Sequence, residues 1–284
     1  GQGGIPEGGG RGDPAVSGFS DAWLSARAAW DTPARNRAVQ DALIDWAGKR
    51  ASNGKRLRIV DLGAGNGNNQ RYLAPLLSVP VDWMLVDNDR ALLTRAERAA
   101  SLKPGDTLVR EMTDLAHADL AKLIAGADLV TASALFDLVS QDWLDTLLDA
   151  LKGEGAALLA VLTYDGRMET AANQEALAAV RELVNRHQRT DKGFGPALGP
   201  DASGALSAGL AARAYDVRDG ESDWIVGVVD PGASELVGGW VEAASEMAPE
   251  RSGDVEAWAE ALYAAPEATI RVGHGDHFAV PRIS

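Results

Sequence analysis

Residues Arg56 to Gln70 read RLRIVDLGAGNGNNQ. The opening places Leu57, Ile59, Val60 and Leu62 in a short apolar run, as a parallel strand buried on both faces requires. Gly63, Gly65 and Gly67 then interrupt it at every second position. A strand that runs through a glycine turn into a helix is a nucleotide-type binding corner, where backbone N–H groups face a ligand. The dinucleotide fingerprint G-x-G-x-x-G needs a third glycine for close helix–strand packing, and counted from Gly63 and Gly65 that position is Asn68. The spacing fails that pattern.

With Asp61 ahead of the glycines the stretch reads D-x-G-x-G-x-G and resembles the first motif of the class I S-adenosylmethionine (SAM)-dependent methyltransferases. The resemblance implies a Rossmann-like α/β fold: a doubly wound, mostly parallel seven-stranded sheet with helices on both faces. It implies SAM as cofactor, with the backbone from Gly63 through Ala64, Gly65 and Asn66 to Gly67 passing against the methionyl part. Asp61 then helps to orient the amino group.

The following segments alternate strand and helix, the signature of a parallel sheet. A helix is expected over Asn69 to Leu77 and a second strand over Val81 to Val86, ending in Asp87-Asn88-Asp89. A carboxylate at that tip, about 20 residues past the glycine turn, is placed to accept both ribose hydroxyls. The resemblance gives that role to Asp87 and sets Asn88 beside the adenine; Asp89 also reads as a helix cap for Arg90 to Ala100. After a third strand, Thr107 to Glu111, the resemblance assigns Asp114 to the adenine amino group and Leu115 to the ring face. His117 reads as an exposed histidine. A fourth strand, Ala127 to Ser133, brings Ser133, Leu135, Phe136 and Asp137 to the end of the sheet where cofactor and acceptor meet, Asp137 reading equally as cap or base. A helix over Trp143 to Leu151 and a fifth strand over Ala156 to Leu162 follow, with Tyr164 just beyond as an acceptor contact.

The resemblance covers Arg56 to Leu162 well and the termini weakly. Before it, residues 1–17 are read as a flexible leader of Gly, Pro and polar residues, with Arg11-Gly12-Asp13 as a chance triplet. Helices over Ser20 to Trp30 and Pro33 to Gly48 place Arg27, Asp31 and Arg35 on about one face. That face is either solvated, or it supplies Arg27 or Arg35 to the SAM carboxylate. Residues 18–284 are read as a single domain, with 55–165 as the SAM-binding core. Residues 166–210 add a helix and a loop from His187 to Pro200 in which Gly and Pro mix with His187, Arg189, Asp191, Lys192 and Phe194. We read this loop as an acceptor-binding lid, Arg189 and Lys192 holding an anion, Phe194 contacting substrate, and His187 or Asp191 taking a proton. Strands over Ala214 to Val217, Trp224 to Val228 and Ala268 to Val280 are expected, with a helical insertion at 229–266 before the last. His274 and Asp276 share one side of that strand and His277 the other, so a common metal is not expected.

Composition narrows the partners. The 284 residues are 46% hydrophobic and 24% charged, as in globular domains. No apolar run spans a membrane, no signal peptide is read, and a cytoplasmic setting is expected. Without cysteine there is no disulfide or thiolate metal site. A net charge of −14 repels a phosphate backbone, and the chain lacks the Asn/Asp-Pro-Pro-Tyr/Phe motif of base and glutamine methylation. The expectation is methylation of an oxygen or nitrogen of a small, possibly anionic metabolite, with no nucleic-acid or membrane partner. A SAM-binding sensor or partner subunit without transferase activity is the alternative.

Overall fold

The computed structural model describes residues 21–52, 54–170 and 174–282, and the leader expected at residues 1–17 lies outside them. Helices α1 (Asp21–Ala34) and α2 (Arg37–Arg50) come first, α2 starting where the Asn36 side chain accepts the Val39 N–H at 3.1 Å. The alternation is then β1 (Leu57–Leu62), α3 (Asn68–Leu73), β2 (Val81–Asp87), α4 (Arg90–Ala99), β3 (Thr107–Met112), α5 (Leu120–Leu123), β4 (Leu129–Ser133), α6 (Gln141–Glu154) and β5 (Ala157–Thr170). After these come α7 (Gln174–Gln188), α8 (Ala202–Ala212), β6 (Tyr215–Glu221), β7 (Trp224–Gly227), α9 (Ala233–Met247), α10 (Ser252–Tyr263) and β8 (Thr269–Pro281). Among the described residues no helix is long and apolar enough to cross a membrane.

The sheet runs β3-β2-β1-β4-β5-β8-β6, with β7 also on β8. Strands β1 to β5 pair in parallel, and β8 is antiparallel to its three partners. The buried strands are apolar because both faces are covered: Ile59, Leu62, Leu85 and Leu129 are fully buried. Eight strands replace the expected seven because β6 and β7 lie end to end along β8, pairing with Gly275–Pro281 and Thr269–Val272. The break falls at Ser222 and Asp223. There the Asp223 carboxylate accepts the His274 N–H at 3.1 Å and pairs with Arg167 and Arg271.

The fifth strand does not stop at Leu162 but bends there, with φ +54° and a shifted register, and pairs with β8 through Thr170. The buried Asp276 holds the bend, one oxygen accepting the Leu162 N–H at 2.8 Å and the other the Asn36 N–H at 2.9 Å. The sheet that this arm extends carries the buried apolar residues Trp224 and Val226 of β7 and Ile270 and Val272 of β8. It packs with Leu177 and Val180 of α7, Trp240 of α9 and Trp258 of α10 in one core cluster. The inserted helices therefore cover the arm. Helix α1 docks on the same arm: Arg27 Nε donates to Asp31 at 3.1 Å, Trp224 Nε1 donates to the other Asp31 oxygen at 3.0 Å, and the Trp30 and Trp224 rings lie 5.5 Å apart.

Candidate functional site

The carboxyl ends of β1, β2, β3 and β4 open on a cavity of about 350 Å³ roofed by α1 and by the loop after α7. This is where open parallel sheets bind ligands. Its floor is the turn after β1. Gly63 and Gly65 sit at φ +64° and +54°, and a Cβ on Gly65 would meet only Leu24 of α1, at 3.3 Å. The turn thus leaves backbone exposed to a ligand that lies along it. Gly67 does a different job. It starts α3 at φ +83°, and a Cβ there would stand 3.0 Å from the Ala96 Cβ of α4. It is outside the lining, and its lack of a side chain lets the turn approach α4.

Of the residues assigned to cofactor from the sequence, Arg27, Gly63, Ala64, Gly65, Asn66, Asp87, Asn88, Asp114, Leu115, Ser133 and Leu135 line the cavity. Asp87 stands at the tip of β2, one oxygen accepting the Gly65 N–H at 2.8 Å and the other the Asp89 N–H at 2.9 Å. Burial pushes its carboxyl up, and these two donors oppose that. Asp114 accepts the Ala116 N–H and lies 2.9 Å from His117 Nδ1, which lowers its pKa. His117, exposed as expected, also lines the rim.

Asp61 and Gly67 are not in the lining. Asp61 is buried behind Asn69, whose amide donates to one Asp61 oxygen at 2.9 Å, while the other oxygen has no partner. Burial pushes Asp61 up to about 7. Asn69 itself faces the cavity, and Arg35 fixes it from behind with a 2.9 Å bond to its oxygen. So Arg27 reaches the cavity and Arg35 does not. Arg35 lies instead over the Tyr72 ring at 4.7 Å.

The acceptor residues divide. Lys192 and Phe194 line the cavity; Phe136, Asp137, Tyr164, His187, Arg189 and Asp191 do not. Phe136 is fully buried, in the same core cluster as Trp143. Asp137 has one oxygen enclosed without a partner, and burial pushes it up to about 6. Its backbone carbonyl accepts the Gly199 N–H at 2.9 Å, tying the loop down. The buried Tyr164 hydroxyl donates to Asn185 at 2.7 Å. Arg189 pairs with Asp201, and Asp191 accepts the Gly193 and Gly195 N–H groups, forming the turn rather than facing substrate. His187 bridges Glu246 of α9, 3.1 Å from Nε2, and Lys192, 3.3 Å from Nδ1.

Sequence reasoning passed over other lining residues: Leu24 and Asp31 of α1, Asn68, Asn69, Thr113 and Leu138. The spacing of Leu24, Arg27 and Asp31, at i, i+3 and i+7, carried the signal for the helix. Trp143 was also missed. Its indole donates to the Leu115 carbonyl at 2.7 Å and its ring packs on Phe194 at 5.5 Å, so one side chain links the loop to the expected adenine wall. The residues of the last strand stay apart: His277 lies 2.8 Å from the Ser203 hydroxyl, and His274 Nδ1 lies 3.0 Å from the Val272 carbonyl.

No family model matches the chain, and no curated protein does. Solved structures match it over nearly its whole length. Loganic acid methyltransferase with SAH aligns at 11% identity and TM-score 0.53, covering 95% of this chain and 99% of that one. A cyclopropane-fatty-acyl-phospholipid synthase-like protein from Lactobacillus casei aligns at 15% and 0.50, covering 89% and 98%. The YcgJ protein from Bacillus subtilis aligns at 13% and 0.50, covering 88% and 100%. The chain has the class I methyltransferase fold.

Proposed function

We propose that this chain is a SAM-dependent methyltransferase that modifies an oxygen or nitrogen of a small molecule and takes neither nucleic acid nor membrane as partner. The observation that carries the reading is Asp87. Its carboxylate stands at the tip of β2 in the cavity wall, held by the Gly65 N–H of a turn that lacks the third dinucleotide glycine. Backbone donors, Gly65 and Asp89 among them, fix the carboxylate, and each oxygen keeps acceptor capacity for a vicinal diol.

The lining fits the group. Asp87 would accept the ribose hydroxyls, Asp114 and Leu115 would face the adenine, and Arg27, held by Asp31, would meet the methionyl carboxylate. Asp61 would act through Asn69. SAM supplies a methyl group on a sulfonium. The chain's share is to bring the acceptor into line at Ser133 to Leu135 and to exclude water with the loop bearing Lys192 and Phe194. The net charge of −14 supports a small acceptor over a polyphosphate chain.

Isothermal titration of SAM into the protein and into Asp87→Ala is the test. Losing a charged acceptor to the ribose should cost about 1.5 to 3 kcal/mol, a tenfold or greater rise in Kd. Equal affinities would remove Asp87 from the ribose site.

A further inference from the structure

The strand order sets a polarity on the cavity. The tips of β2 and β3 stand at one end, and β4 with the loop after α7 at the other. Every lining group at the first end that can take a proton is a neighbour of the expected nucleoside: Asp87, Asp89, Asp114 and His117. Asp89 is further committed to capping α4 through the Ala91 and Leu92 N–H groups.

At the second end the described lining holds Arg27, Asp31 and Lys192 as its titratable groups. Asp31 is no base. It is buried, with one oxygen accepting from Arg27 and the other from Trp224. The side chains suited to deprotonate an acceptor, His187, Asp191, Asp137 and Tyr164, are turned away or enclosed, as described above. What faces the acceptor end is a cation. Lys192 Nζ has three N–H donors. One goes to the Thr190 hydroxyl at 3.1 Å and one toward His187 Nδ1 at 3.3 Å, leaving the third for the cavity. His187 in turn lies 3.1 Å from the Glu246 carboxylate, so α9 of the insertion holds the lysine head through the histidine.

We infer that the acceptor is a carboxylic acid, methylated on a carboxylate oxygen, with Lys192 holding the anion and His187 and Glu246 positioning Lys192. The inference rests on the methyltransferase reading. Its chemistry matches the site because a carboxylate is already ionised at neutral pH and needs no base. The oxygen forms the new C–O bond with the methyl carbon as the C–S bond breaks, and the bonding pair stays on sulfur. A positive sulfonium and a negative carboxylate give a neutral thioether and a neutral ester, and no proton is released. A phenol or ammonium acceptor would have to lose a proton that the described lining at this end has no free base to take.

The test uses the full chain with SAM tritiated in the methyl group, offered butyrate and benzoate beside phenol and butylamine. Label should enter the acids and return as volatile methanol after mild alkali, which cleaves esters and leaves ethers and amines intact. Label that enters phenol or the amine and survives alkali overturns the inference while leaving the transferase reading in place. Absence of SAM binding by calorimetry overturns the reading beneath it. A readout independent of turnover is benzoate binding to the protein saturated with S-adenosylhomocysteine. Lys192→Ala should weaken it about tenfold and raise KM for the acid, SAM affinity being retained, and Lys192→Arg should recover most of the loss. Benzoate binding indifferent to Lys192 overturns the assignment.

Discussion

Asp61 and His274 are two buried ionisable groups whose charged forms are disfavoured by burial, one an acid and one a base. Asp61 is raised to about 7 in the folded chain. Its contribution to stability is therefore full below its ordinary value near 4 and is lost as pH rises toward 7. His274 is lowered to about 4 by burial and by the nearby Arg27. Its contribution is present above its ordinary value near 6.5 and is lost as pH falls through 4. Denaturant unfolding across pH 4 to 7 separates them. The stability of Asp61→Asn relative to the parent should improve as pH rises through that window, and that of His274→Asn should improve as pH falls through it. A difference that stays flat with pH would mean that folding does not shift the residue's pKa. Asp61 was legible in the motif, but its mode of action was not. Asn69 stands between it and the cavity, and no spacing rule says which of two neighbouring polar side chains takes the inner position. Arg35 and Arg27 pose the same difficulty: they share a face in a helical projection, but the chain turns between α1 and α2, and only Arg27 points inward.

The turn after β1 shows how one motif divides its work. Gly63 and Gly65 keep side chains out of the ligand's path, whereas Gly67 lets α3 start against α4. Gly67→Ala combines a left-handed φ of +83° with a contact of 3.0 Å to Ala96. It should cost about 1 to 3 kcal/mol of stability. In thermal unfolding the Tm should fall, with SAM affinity at a temperature where the variant is folded close to the parent's. An unchanged Tm would show that the turn and α4 are free to separate. The loop after α7 divides in a different way. Its residue types marked it as functional, but Lys192 and Phe194 reach the cavity while Arg189 and Asp191 do not. Arg189 is drawn off to Asp201, and the Asp191 carboxylate is consumed in closing the turn. The β5 arm was illegible for a plainer reason. Thr163 to Arg167 contain Asp, Gly and Arg, so they read as loop; Asp276, distant in sequence, accepts the N–H of the Leu162 bend and keeps the strand on β8.

For the whole molecule, the alternation from Arg56 to Leu162 was enough to fix a parallel sheet, since strands buried on both faces need continuous apolar runs and crossover helices between them. What lies beyond Leu162 depends on long-range pairing that local pattern does not encode. That region gives the fold its individual features: the extended arm, the helices that cover it, and the connection from Glu246 through His187 to the cavity. Calorimetry with SAM and with NAD tests the reading of the cavity those parts surround as a SAM site. SAM should bind more tightly than NAD, because Asn68 stands where the dinucleotide turn needs glycine and Asp87 waits at the tip of β2. Gly65→Val, which sets a branched side chain beside Leu24 in the ligand's path, should abolish SAM binding in a protein that still unfolds cooperatively. NAD binding more tightly than SAM, or Gly65→Val binding SAM as the parent does, would contradict it.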